Sequence, residues 1–156
     1  MNPQLVKKAK KIIEKIIYIT LASVTPDGKP WNTIVFTGFD KKYNFYWRSY
    51  KNSVHSQNIE SNGDIFITIC DTTSPWGEGK GVFIKAHAEE LTDKNDISTA
   101  LALLDKRSPR SLGSTNDFLD ESPRRVYKAV TEKMWINDAE EIDGNFVDKR
   151  IEIHLA

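Results

Sequence analysis

The sequence predicts a mainly β protein, an antiparallel barrel of six or seven short strands with helices at its periphery. Three observations carry this. Segments rich in β-branched and aromatic residues recur along the chain, beginning with IYITLASVT, WNTIVFTGF and YNFYWRS. Turn-forming residues such as Pro26-Asp27-Gly28-Lys29-Pro30 and Asp40-Lys41-Lys42 separate neighbouring segments by only a few positions. Helical spacing is confined to three segments that flank the strands, which points to a barrel rather than a parallel sheet.

In chain order, Leu5, Val6, Ala9, Ile12, Ile13, Ile16 and Ile17 recur at helical spacing and predict an amphipathic helix. Its other face carries Lys7, Lys8, Lys10, Lys11 and Lys15, which we read as a solvated face. Three strands joined by short turns then make a meander. Residues 52–61 read as a short helix with Asn52 or Ser53 as its N-cap. IFITIC reads as a fully buried strand and GVFIKAHAEEL as a long alternating one, with a Gly-rich loop around Trp76 between them. Asp93 is placed to cap a helix carrying Ile97, Ala100, Leu101 and Leu104. A polar segment with Pro109, Gly113 and Pro123 leads to two last strands, VYKAVTEKMWIN and NFVDKRIEIHL.

The 156 residues suit a single domain over 1–156, with 39% apolar and 28% charged residues. Lys plus Arg number 22 and Asp plus Glu 22, so no global field favours nucleic acid or an anionic membrane. No apolar run is long enough to span a bilayer, and the N-terminus does not read as a signal peptide. The one cysteine, Cys70, fits a reducing, cytoplasmic setting and reads as a buried, inert thiol.

Metal chemistry is not expected, because His55, His87 and His154 are widely separated and no thiolate cage is available. The serines lack a Gly-x-Ser-x-Gly elbow, and the paired carboxylates Glu89-Glu90 and Glu140-Glu141 read as solvated charge. A phosphate site is the stronger signal. Arg48-Ser49 ends a strand and Ser53-Val54-His55-Ser56 opens a helix, where backbone N–H groups and the dipole favour an anion. The arginine, the hydroxyls and a protonated imidazole add charge-assisted donors. An ordinary helix cap beside a surface arginine fits the same residues equally well.

Leu21-Ala22-Ser23-Val24, the turn Asp27-Gly28-Lys29-Pro30, the strand 45–49, and the helix positions Ser53, His55, Ile59 and Asn62 together fix an order and spacing. In these the chain resembles the pyridoxamine 5′-phosphate oxidase-like, FMN-binding split-barrel family, most strongly over residues 17–92. The resemblance implies a homodimer holding FMN at two equivalent interfacial sites, with a small-molecule substrate or redox partner and an oxidoreductase activity. It places Thr33, Ile34, Val35 and Phe36 along the isoalloxazine ring, partly through backbone, Arg48 and Ser49 along the ribityl-phosphate, and Ser53, His55 and Ser56 on the phosphate. Trp76, Gly79 and Lys80 are expected to reach the flavin from the other subunit, and Trp135 is either a flavin-side aromatic or a core residue. On the substrate side it implies roles for Arg107, Ser111 and Arg150. The family's phosphate-binding lysine late in the second strand is Gly38 here, so pyridoxamine phosphate is expected to be a poor substrate. A deazaflavin-dependent reductase of the same fold, or a non-enzymatic flavin- or haem-binding module, are the alternatives.

Overall fold

A computed structural model describes residues 2–155. Helix α1 (Pro3–Lys15) starts where the Asn2 side chain accepts the Gln4 N–H at 3.0 Å, with Pro3 preset for the first helical position. Its Ala9, Ile12 and Ile13 are buried, and Lys7, Lys8, Lys11 and Lys15 lie exposed on the other side. Strands β1 (Tyr18–Val24) and β2 (Pro30–Phe36) form a hairpin in the register Tyr18↔Phe36 to Val24↔Pro30. Its turn uses Gly28 at φ +83°, a conformation open to glycine at little steric cost. Next come β3 (Gly38–Phe39), β4 (Phe45–Tyr50), α2 (Val54–Ser61), β5 (Asp64–Cys70) and β6 (Gly81–Glu90). Then α3 (Lys94–Asp105) begins at Asp93, whose carboxylate accepts the N–H groups of Asn95 and Asp96. A 3-10 turn at Thr115–Phe118 precedes the last hairpin, β7 (Arg124–Ile142) and β8 (Asn145–Glu152).

All the strands pair antiparallel in the order β2-β1-β5-β6-β7-β4-β3, with β8 added on β7. The two ends of that order, β2 and β3, are consecutive pieces of one segment, so the sheet must curl round until its edges meet at Thr37. Thr37 is fully buried at this corner. Its N–H donates to the Ile17 carbonyl at 2.9 Å on the β1 side, and its hydroxyl reaches the Tyr46 carbonyl at 2.9 Å on the β4 side. The break at Thr37, within a run that reads as one strand, is why the sheet has eight strands rather than six or seven. The barrel is split along β7. One stretch, Arg124 to Ala129, pairs with β4, and another, Trp135 to Ile142, pairs with β8. A register shift opposite Lys85/Ala86 bends the strand between them. The architecture is therefore an antiparallel split β-barrel with flanking helices.

The barrel interior holds Leu21, Phe45, Trp47, Ile67, Ile84 and Tyr127, closed at one end by α1. A second cluster, with Leu101, Leu104, Phe118 and Val126, lies under α3 and the 3-10 turn. Two expectations need correction. IFITIC is not fully buried: Ile65, Ile67 and Ile69 point inward, while Phe66 and Thr68 are half-buried on the other face, as for a strand with one packed side. Cys70 ends that strand on its outward parity and is exposed. Among the described residues no helix is long and apolar enough to cross a membrane.

Candidate functional site

The end of β4 and the start of α2 are joined by a turn of only a few residues, which brings Arg48 and Ser49 against Ser53 and His55. Ser53 is the N-cap of α2, yet its side chain caps no N–H of the helix. Its hydroxyl instead donates to the Tyr50 carbonyl at 2.8 Å and lies 2.9 Å from the Ser56 hydroxyl. The first turn of α2 therefore keeps the donors that an N-cap side chain usually satisfies. The His55 ring is 8% exposed, and its Nε2 stands 2.5 Å from Ser49 Oγ and 3.3 Å from Ser53 Oγ. Burial pushes the imidazole pKa below its ordinary 6.5, so the ring is neutral at pH 7. Arg124 enters from β7, where the register sets it opposite Tyr50. Arg48, Ser49, Ser53, His55 and Arg124, with Tyr50, surround a cavity of about 390 Å³. Two guanidinium groups and no carboxylate line it. Such a cavity is complementary to a phosphate.

Arg48 also borders a second cavity of about 540 Å³, walled by Ile17, Tyr18, Phe36, Pro109 and Leu112. Tyr18 and Phe36 meet edge-on with centroids 5.8 Å apart. Arg48 Nη1 donates to the Leu112 carbonyl at 2.8 Å, which pins the 108–112 segment beside this second space. Arg48 thus lines both cavities of this groove region, a cationic one and one whose largely apolar wall also carries Ser108, Arg110 and Ser111. A larger cavity, about 620 Å³, lies elsewhere, between α2 and the ends of β6 and β7. Its lining mixes both signs of charge, with Glu60, Glu89 and Glu90 beside Lys51 and Arg125, and Arg125 is paired with Glu90 at 2.8 Å. The Arg48 cavity is the better anion site because no carboxylate is among its lining residues; Asp117, outside the lining, approaches Arg124 only to 3.9 Å.

The structure brings together Arg48, Ser49, Ser53 and His55 in the first cavity, and Phe36 and Ser111 in the second. Ser56 belongs with them in sequence, and its buried hydroxyl meets that of Ser53 at 2.9 Å, but the residue lines the larger cavity and not the cationic one. Along β2, Ile34 is 67% exposed on the same face as Phe36, whereas Val35 is 6% exposed and packs into the core. Its side chain is therefore not free to line a flavin. Thr33 shares the parity of Val35 and is half-buried. Trp76 is fully exposed in the 71–80 loop with Gly79, and Lys80 pairs with Asp138 at 2.6 Å. Trp135 is not in the barrel core. It stacks on Phe66 across the outer sheet face, with centroids 6.2 Å apart.

The substrate-side trio does not assemble. Arg107 Nη2 lies 3.1, 3.2 and 2.7 Å from the carbonyl oxygens of Ile13, Glu14 and Ile16, and its guanidinium sits 5.0 Å from the Phe39 ring centre. It closes the C-terminus of α1 and is not a groove residue. Arg150 covers the Phe83 ring at 4.0 Å on the outer face of the sheet. Gly38 has its own constraint. A Cβ there would stand 3.0 Å from the Leu103 carbonyl carbon and oxygen, so the backbone of α3 fills the space a side chain needs.

Sequence reasoning missed Arg124 and the Ile17–Tyr18 wall. The one available signal was the Arg124-Arg125 pair beside Pro123 at the start of a strand, and its partner strand cannot be read from spacing.

This fold defines a split-barrel protein with a cationic cavity at the start of α2. The family model for pyridoxamine 5′-phosphate oxidase matches residues 5–137, and the chain belongs to that family. A search of curated protein sequences finds no match. Among solved structures, a haem-binding protein from Mycobacterium smegmatis aligns with TM-score 0.69 and 18% identity, covering 96% of this chain and 59% of that one. The present chain thus spans well under two thirds of that protein's length. A FAD-binding protein from Mesorhizobium loti aligns with TM-score 0.62 and 17% identity over 83% of this chain and 91% of its own. An F420 reductase aligns with TM-score 0.61 and 17% identity over 81% of this chain and 94% of its own. At these identities the likeness is one of fold.

Proposed function

We propose that this protein is an FMN-binding flavoprotein and oxidoreductase, cytoplasmic, with the flavin held between two copies of the chain. The observation that carries the reading is the pair of cavities sharing Arg48: Arg48, Arg124, Ser49 and His55 gather at the open start of α2, with Asp117 outside the lining at 3.9 Å from Arg124, beside a largely apolar space next to Phe36. The two cavities each fall within about 300–1,000 Å³, the usual range for small-molecule sites. In this arrangement Arg48, Arg124, Ser49 and His55 hold the phosphate, while Tyr18 and Phe36 border the ring. Bound flavin supplies the hydride or single-electron chemistry, and the chain supplies orientation and charge. The groove is open to solvent along β1 and β2, where Tyr18, Val24 and Ile34 are exposed on one face. A second copy packed there, bringing Trp76, Gly79, Lys80 or Trp135, would complete the site.

Pyridoxamine phosphate is a poor fit. Gly38 leaves no room for a lysine, and Arg107 is engaged with α1. A deazaflavin is the second reading within this function, since its phosphate meets the same cations. Haem is disfavoured because His55, the histidine of the groove, has its Nε2 engaged by Ser49. An absorbance scan of the purified protein, repeated after incubation with FMN, tests the proposal. Bands near roughly 375 and 450 nm are expected from bound oxidised flavin. A Soret band, or no retained chromophore after FMN is added, would overturn it.

A further inference from the structure

We propose that FMN binds this protein together with a proton, which His55 takes up from solvent as the phosphate enters. The inference rests on the flavin reading above and goes further, making the proton a co-ligand of the phosphate.

The geometry of the ring carries the argument. His55 is 8% exposed, and its Nε2 contacts Ser49 Oγ at 2.5 Å and Ser53 Oγ at 3.3 Å. From β4, Arg48 and the Ser49 hydroxyl face the same cavity, and from β7, Arg124 does. On its own helix the neighbours are Ser53 and Ser56, and beyond Ser56 the Tyr127 phenol is held neutral, its pKa pushed up by burial. Glu60 on α2 and Glu90 on β6 line the separate larger cavity with Arg125. No carboxylate lines the cavity of His55.

Without an anion, a charged ring would therefore add a third cation to Arg48 and Arg124, where the one neighbouring carboxylate, Asp117 of the 3-10 turn, lies outside the cavity at a long 3.9 Å from Arg124 and water reaches the buried ring poorly. Such a ring stays neutral. A phosphate dianion reverses the balance, because each charge in the cavity then stabilises the others. The hydrogen bonds change in the same direction. A protonated Nε2 can only donate, so Ser49 Oγ accepts from it, and the Ser49 hydroxyl hydrogen is released to point at the anion. Uptake of one proton thus supplies a positive charge and an additional oriented donor.

The test is calorimetric titration of the full-length protein with FMN between pH 7.0 and 8.5, in buffers of different ionisation enthalpy. A phosphate monoester, with a second pKa of about 6, is already dianionic there, so the ligand contributes little to any slope. We expect net proton uptake on binding at pH 7.0 and a Kd that rises about three- to thirtyfold across the range. Riboflavin should bind with neither effect. The variants His55→Gln and His55→Lys remove the titrating group in opposite senses. Both should show flat affinity across the range, with His55→Lys the tighter of the two at pH 8.5. Wild-type binding of FMN with no proton uptake and a flat Kd overturns the inference and leaves the flavin reading intact. A slope that survives in either variant overturns it too. Failure to bind FMN at any pH overturns both.

Discussion

Replacing Arg107 with alanine separates two readings of the same residue. Family spacing places it on the substrate, whereas the structure places its guanidinium across the last turn of α1 and over the Phe39 ring. The expected cost follows from what is lost. A hydrogen bond from a charged donor contributes about 1.5–3 kcal/mol. Here two N–H groups of Nη2 are shared among three carbonyls, so the contacts count as fewer than three full bonds. Relief of the helix dipole adds about 0.3–1 kcal/mol, and the contact with Phe39 about 0.5–1 kcal/mol. Against these stands Arg107 Nη1, which is buried without a partner, a liability the substitution removes.

The balance is a loss of about 2 kcal/mol. For a chain of this size that lowers the melting temperature by about 4–8 °C. Arg107→Lys keeps the charge but loses the planar fork, and should recover about half. Thermal denaturation of the flavin-free protein reads the effect directly, and FMN titration of the folded variant should show unchanged affinity. If Arg107→Ala melts within about 1 °C of wild type while substrate KM rises, Arg107 is a substrate contact and the assignment to α1 is wrong.

Arg124→Ala should weaken FMN by about 1.5–3 kcal/mol and leave riboflavin unchanged, because only FMN carries the phosphate; equal weakening of both ligands in parallel fluorescence titrations would show a structural role. Gly38→Ala pushes a methyl group against the Leu103 backbone and should lower stability by about 1–3 kcal/mol. An unchanged urea midpoint would mean that α3 moves freely. Ile34→Glu places a charge on the exposed face of β2 and should convert a dimer into monomers that lose FMN; sedimentation showing a monomer that still binds FMN tightly would rule out the shared site. Stability of the FMN-free protein should fall as pH drops through about 6.5. There the unfolded His55 takes up a proton while the folded one, with its lowered pKa, resists. His55→Gln should flatten that part of the profile, and a profile identical to wild type would show that another group is responsible.

What was legible in the sequence was what neighbouring residues decide among themselves. Alternation and tight turns mark the strands, and Asp93 caps α3 because its carboxylate meets N–H groups two and three residues on. The phosphate end of the groove was readable for the same reason: Arg48, Ser49, Ser53 and His55 lie in one short stretch that a single turn folds onto itself. The break at Thr37 was not readable. Its N–H and hydroxyl are satisfied by carbonyls from two different strands, and nothing in WNTIVFTGF marks that departure.

Arginines show the limit most clearly. Arg48, Arg107, Arg124 and Arg150 offer the same planar set of donors, and each serves whatever the fold sets before it. Arg48 meets the Leu112 carbonyl at the groove, Arg107 a helix end, and Arg150 the face of Phe83. Arg124 reaches the phosphate end only because β4 and β7 pair with Tyr50 opposite it. The cluster of Arg48, Ser49, Ser53 and His55 is largely local, whereas the places of Arg107, Arg124 and Arg150 depend on long-range packing. In this chain α3 occupies the space beside Gly38, and α1 engages Arg107. Family membership therefore carries the fold and the Arg48–His55 cluster further than it carries the residues expected on the substrate side.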